Sequence, residues 1–112
     1  MKFAYQAEKF ATARRSLMLP HPKGEVQSIT DAFIECSHGL KNLRSEDLDD
    51  SARCSVRKLK ELMDSSGLED PTHRGWVAMK AEQLTLDQKF ELSEEINYLA
   101  TWFDLQTKMA NV

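Results

Sequence analysis

The sequence predicts an all-α fold, an antiparallel helical bundle of four main helices plus one short helical segment, on three observations. Apolar residues recur along most of the chain at helical spacing. Only four glycines and three prolines interrupt its 112 residues, too few for many short strands joined by tight turns. An apolar share of 41% beside 29% charged residues is that of a chain with a core to bury, which excludes disorder. At this length a single domain over residues 1–112 is expected, needing neither a disulfide nor a metal to hold it together.

The first helix is expected over 2–18. Phe3, Ala7, Phe10, Arg14 and Leu17 recur at 4-3-4-3 spacing, with Ala4, Ala11 and Met18 beside them and Glu8, Lys9 and Arg15 mostly off that face. Pro20 and Pro22, which lack backbone donors, end it in the loop 19–24. Residues 25–43 predict the second helix, with a 3-4-3-4-3 seam of Val26, Ile29, Phe33, Cys36, Leu40 and Leu43. Gly39 inside it marks a close helix crossing or an early end. Ser45, Glu46 and Asp47 supply a cap and acids to open the third helix, whose stripe is Leu48, Ala52, Val56, Leu59 and Leu62 or Met63. Gly67 closes it as a C-terminal cap.

Asp70 followed by Pro71 opens the short segment, expected to run to about Gln83 with Gly75 weakening it. Thr85 with Gln88 matches a capping box, from which the last helix runs over 86–109. It carries two stripes. Leu92, Ile96, Leu99 and Phe103 form one, and Tyr98, Trp102, Leu105 and Met109 the other. The loops are short, so helices consecutive in sequence are expected to pack as antiparallel neighbours.

Charge narrows the range of partners. Fifteen Lys and Arg against eighteen Asp and Glu leave a net charge of −3, which disfavours holding polyanions by bulk charge. The charge is blocky all the same: residues 1–23 carry five bases and one acid, residues 24–52 two bases and seven acids. No apolar run reaches the roughly 18 residues of a membrane span, and the mixed start of the chain does not read as a signal peptide. A cytoplasmic location, with Cys36 and Cys54 reduced, is the expectation.

Glu35 and His38 stand three apart on one helix face. This is half of the arrangement that holds a metal in ferritin-like bundles, and it occurs once where two are needed. Arg15 and His21 resemble the arginine–histidine pair of the ribonucleases with higher eukaryote and prokaryote nucleotide-binding domains, which are also helical bundles. The resemblance covers these few residues and implies His21 as general base. Here the pair spans a helix end and a proline-flanked loop, where that family sets it at a helix start. Cys54 lies near Arg53, Arg57 and Lys58, a setting in which an exposed thiol is reactive. The bases Arg53, Arg57, Lys58 and Lys60 suit phosphate contacts, without interleaved aromatics or a helix-turn-helix pattern. The widely spaced glycines form no phosphate loop.

The sequence speaks most strongly for binding another protein. Tyr98, Trp102, Leu105 and Met109 widen the apolar face of the last helix beyond what one core seam requires, and Trp76 and Met79 are candidates to extend it. Aromatic and methionine side chains of this kind anchor interfaces. The expectation is a non-enzymatic interaction module docking on another protein or on itself as a homodimer, of the adaptor, immunity, antitoxin or inhibitor type. It would use no cofactor and bind neither membrane nor nucleic acid. The alternative is a small helical metal-binding protein or ribonuclease using His21, Glu35, His38 or His73.

Overall fold

Five α-helices and one 3-10 turn, with no strand, make up the described residues (3–18, 20–21, 23–64 and 75–110) of the computed structural model. The helices are α1 (Ala4–Ser16), α2 (Glu25–Leu40), α3 (Asp50–Met63), α4 (Trp76–Gln83) and α5 (Leu86–Ala110), and the turn is Ser45–Asp47. The all-α bundle expected from the spacing is the fold.

The local signals that start and stop these helices are visible in the geometry. Gly24 (φ 94°) and Gly75 (φ 95°) both take a left-handed conformation at the N-caps of α2 and α4. Gly75 thus launches α4 instead of weakening it from within. Asn42 (φ 62°) turns the chain just past α2, so this helix runs through Gly39 and stops short of Leu43. α3 begins later than the sequence suggests. Ser45–Asp47 form the 3-10 turn, and Asp49 is the true cap, its carboxylate accepting from the Ala52 amide at 2.8 Å. The α5 capping box closes in both directions: Gln88 N–H donates to Thr85 Oγ1 (3.1 Å) and Thr85 N–H to Gln88 Oε1 (2.8 Å). Gly67, Asp70, Pro71 and His73, on which the end of α3, the start of the short helix and one candidate histidine were read, lie outside the described residues.

Packing follows a different order from the sequence. α1 packs on α2 and α5, α3 on α5, and α4 on α2. Phe3 meets Trp102 and Phe103 while Arg14 reaches Asn97, so α1 and α5 run antiparallel. α3 is antiparallel to α5 as well, since Asp49 meets Trp102 and Ser55 meets Glu95. Of the sequential pairs, α1 and α2 are close antiparallel neighbours. α2 and α3 are not, because the 41–49 connection carries α3 across to α5. This corrects the expectation that short loops make every consecutive pair adjacent.

The core is one cluster centred on Phe10, Phe33, Leu59, Leu92, Ile96, Leu99 and Phe103. Phe10 stacks on Phe103 with ring centroids 5.2 Å apart. Gly39 is what lets α1 come close: a Cβ there would stand 2.8 Å from Phe10 Cε2 and 3.2 Å from Lys9 Cβ. Cys36 fills core space, and burial pushes its thiol's pKa up. Val26, placed on the α2 seam by its spacing, is exposed. α1 ends at Ser16, level with Ser28 and Asp31, and does not reach it.

Candidate functional site

α5 outruns its neighbours. Its 25 residues extend about 37 Å, whereas the 13 of α1 and 14 of α3 extend only about 20 Å each. Both neighbours begin level with Trp102, where Phe3 and Asp49 touch it. The last two turns of α5 therefore project past the starts of α1 and α3. On this projection Leu105 is 51% and Met109 65% exposed.

Trp102 itself is fastened to the bundle. Its ring packs edge-on against Phe3 (5.4 Å) and Phe103 (5.2 Å), and its indole Nε1 donates to Asp49 Oδ2 at 3.1 Å. The same carboxylate caps α3. The Ala52 amide, and after it the Trp102 indole, hold the Asp49 pKa below its ordinary value of 3.8. Of the five residues singled out as a binding face, Trp102 thus joins α3 to α5, and Tyr98 is half-buried one turn earlier. Leu105 and Met109 remain open. Trp76 is exposed on α4, which packs on α2, so it belongs to another part of the surface, and Met79 is buried.

The histidine candidates are separated. Arg15 donates to Thr12 Oγ1 and lines a cleft with Met18, Pro20, Lys23 and Asp31. His21 lines a different one, of about 70 Å³, with Leu17, Glu25, Ile29, Lys89, Leu92 and Ser93. The fold does not gather the arginine and histidine into one cleft. Nδ1 of His21 is buried without a hydrogen-bond partner among the described residues. Beside it Lys89 bonds to Glu25, and first that bond and then the lysine's charge lower the glutamate's pKa. This cleft has room for little more than a couple of waters.

Glu35 turns towards Lys9 of α1 at 3.6 Å, and His38 is exposed. No group of three His, Cys, Asp or Glu side chains is placed to hold a metal ion among the described residues. No described helix is long and apolar enough to cross a membrane.

A groove of about 550 Å³ runs along α3, and its far wall is a feature the sequence did not disclose. Leu43, Ser45 and Leu48 of the 41–49 connection face Arg53, Val56, Arg57, Lys60 and Glu61 of α3 and Asp64 just past its end. Three of the four bases noted in the sequence fall on this wall. Lys58 points elsewhere, one helical position out of phase. Arg53 is paired with Asp50 at 3.1 Å. Arg57 makes a long contact, 3.8 Å, to Cys54 Sγ, and Lys60 pairs with no acid among the described residues.

The fold and these surfaces define an all-α helical bundle with an apolar projection and a groove whose lining carries both bases and acids. No family model, curated protein or solved structure matches the chain.

Proposed function

We propose that this chain is a non-enzymatic interaction module that docks a helix of another protein, or of a second copy of itself, against the projecting end of α5. The observation that carries the reading is the exposure of Leu105 and Met109 on turns that run past both flanking helices. With Tyr98 and Trp102 they fall at 4-3-4 spacing, the register in which one helix offers a seam to another. Trp102, fixed from behind by Phe3 and Asp49, gives that seam a rigid base, so little side-chain freedom is lost when a partner is seated.

The test is association of the Leu105→Glu, Met109→Glu double variant. Both positions are exposed, so its circular dichroism and urea midpoint should match the parent, with any change within about 0.5 kcal/mol. Sedimentation of the purified chain, and capture of partners from a lysate of its source, should each be repeated with the variant. Loss of a self- or hetero-complex in the double variant supports the reading. A complex retained unchanged, or no complex with either form, overturns it.

A further inference from the structure

The open side of α5 does not end at its projecting turns. α1 meets this helix at Asn97 through Arg14, and α3 meets it at Glu95 and Trp102, so the two neighbours bracket one outward face. With about 100° of turn per residue, that face carries Phe90, Glu94, Tyr98, Thr101 and Leu105 in line. Leu86 stands one turn before Phe90, and the whole face from Leu86 to Met109 extends about 35 Å. Leu86 and Phe90 are 66% and 63% exposed, as open as the apolar residues at the far end. The charge beside them is of one sign. Asp87, Glu91 and Glu94, at i, i+4 and i+7, pair with no base among the described residues. Asp104 and Lys108 neutralise each other at 2.9 Å. Of the bases bordering the face, Lys89 is held by Glu25, and Arg14 lies on Asn97 at the edge opposite these acids. Glu94 stands in the seam itself, between Phe90 and Tyr98. A carboxylate covered there loses its hydration, and only a cation on the covering helix compensates the loss.

We propose that the helix received by α5 is basic and amphipathic and lies along the whole of this outward face. The proposal rests on the reading of the projecting end and names the chemistry of its partner. Apolar side chains of the partner cover Leu86 and Phe90 at one end and Leu105 and Met109 at the other. Between them its lysines or arginines meet Glu94 and the neighbouring Glu91 and Asp87. A second copy presenting the same face fits less well. Parallel and in register, it sets Glu94 against Glu94 and Asp87 against Asp87. Antiparallel about Asn97 and Tyr98, so that opposite apolar ends meet, it sets Glu91 against Asp104. A nucleic acid would bring its phosphates against the same carboxylates.

The experiment is selection, on the full chain, of phage-displayed random peptides of about 24 residues, long enough to span the face as a helix. Recovered peptides are then titrated by fluorescence anisotropy. Lys or Arg three or four residues from Leu, Ile, Phe or Met should be enriched. Glu91→Gln, Glu94→Gln should weaken their binding at least about tenfold and flatten its salt dependence, with circular dichroism unchanged. Asp87 is left in place because it also serves the first turn of α5. Phe90→Ser, which alters no charge, should weaken binding as well, and Leu105→Glu, Met109→Glu should abolish it. Peptides lost in Leu105→Glu, Met109→Glu but indifferent to both Phe90→Ser and Glu91→Gln, Glu94→Gln overturn this proposal and leave the reading of the projecting end standing. Basic peptides that bind Leu105→Glu, Met109→Glu like the parent overturn both. Peptides without basic enrichment, or no peptide at all, overturn the proposal. So does a dimer of the chain, seen by sedimentation, that Phe90→Ser dissociates.

Discussion

Gly39 shows how one residue sets the distance between two helices. In a helix alanine is ordinarily preferred to glycine by about 1 kcal/mol, so an isolated α2 would gain from Gly39→Ala. In the folded chain the added methyl meets the ring of Phe10, which is fully buried and stacked on Phe103 and cannot swing aside. Overpacking of this kind costs about 1–3 kcal/mol and outweighs the helical gain. Gly39→Ala is therefore expected to lower the urea midpoint, and a raised midpoint would mean that α1 shifts outward freely. At Trp102 the side chain is committed to Phe3, Phe103 and Asp49, a role its position on an apparent outer stripe does not disclose. Helical spacing reports which face a residue lies on, and neighbours that arrive from elsewhere in the chain decide whether that face is covered.

At the scale of elements, the starts and stops followed local chemistry wherever a side chain itself makes the cap. Thr85 and Gln88 read as a capping box and form one. Thr85→Ala removes the acceptor for the Gln88 amide and should destabilise the protein by about 0.5–2 kcal/mol, measured by urea denaturation, with fraying confined to the first turn of α5 in amide exchange. Protection lost evenly along α5 would show instead that the box supports the whole helix. The start of α3 was harder to read, because Ser45 and Asp49 are both good capping residues followed by acids. Only Asp49 has its carboxylate on the Ala52 amide, and burial of Leu48 against the core fixes the chain just before it. Likewise either Gly39 or Asn42 would end α2. The crossing with α1 keeps Gly39 helical and leaves the left-handed turn to Asn42.

Across the whole molecule, several exposed carboxylates are held below their ordinary pKa values. Asp49 is held mainly by the Ala52 amide, Glu25 by its bond to Lys89 and Glu46 by its bond to Arg44. Each binds protons less readily folded than unfolded, so its contribution is complete above the ordinary value of 3.8 or 4.5 and fades as pH falls through the lower folded value. The urea midpoint should therefore be level near neutrality and decline below about pH 4.5. Asp49→Asn should reduce that decline, and added salt should shrink the Glu25 and Glu46 shares, which depend on exposed ion pairs. A midpoint that holds down to about pH 3 would show that these carboxylates titrate alike in both states.

The sequence by itself determined the all-α class, the approximate extent of α1, α2 and α5, the core seam of α5 and the identity of its cap. Each of these depends on side-chain periodicity or on hydrogen bonds within a few residues, and such interactions are written locally. The tertiary structure alone decided that α3 lies on α5 and not on α2, that Trp102 is held from behind while Leu105 and Met109 project, and that Leu43 and Ser45 face Arg57 and Lys60 across a groove. These depend on the path of the 41–49 connection and on the unequal lengths of packed helices. They bring together residues far apart in the chain, and no local pattern encodes their meeting.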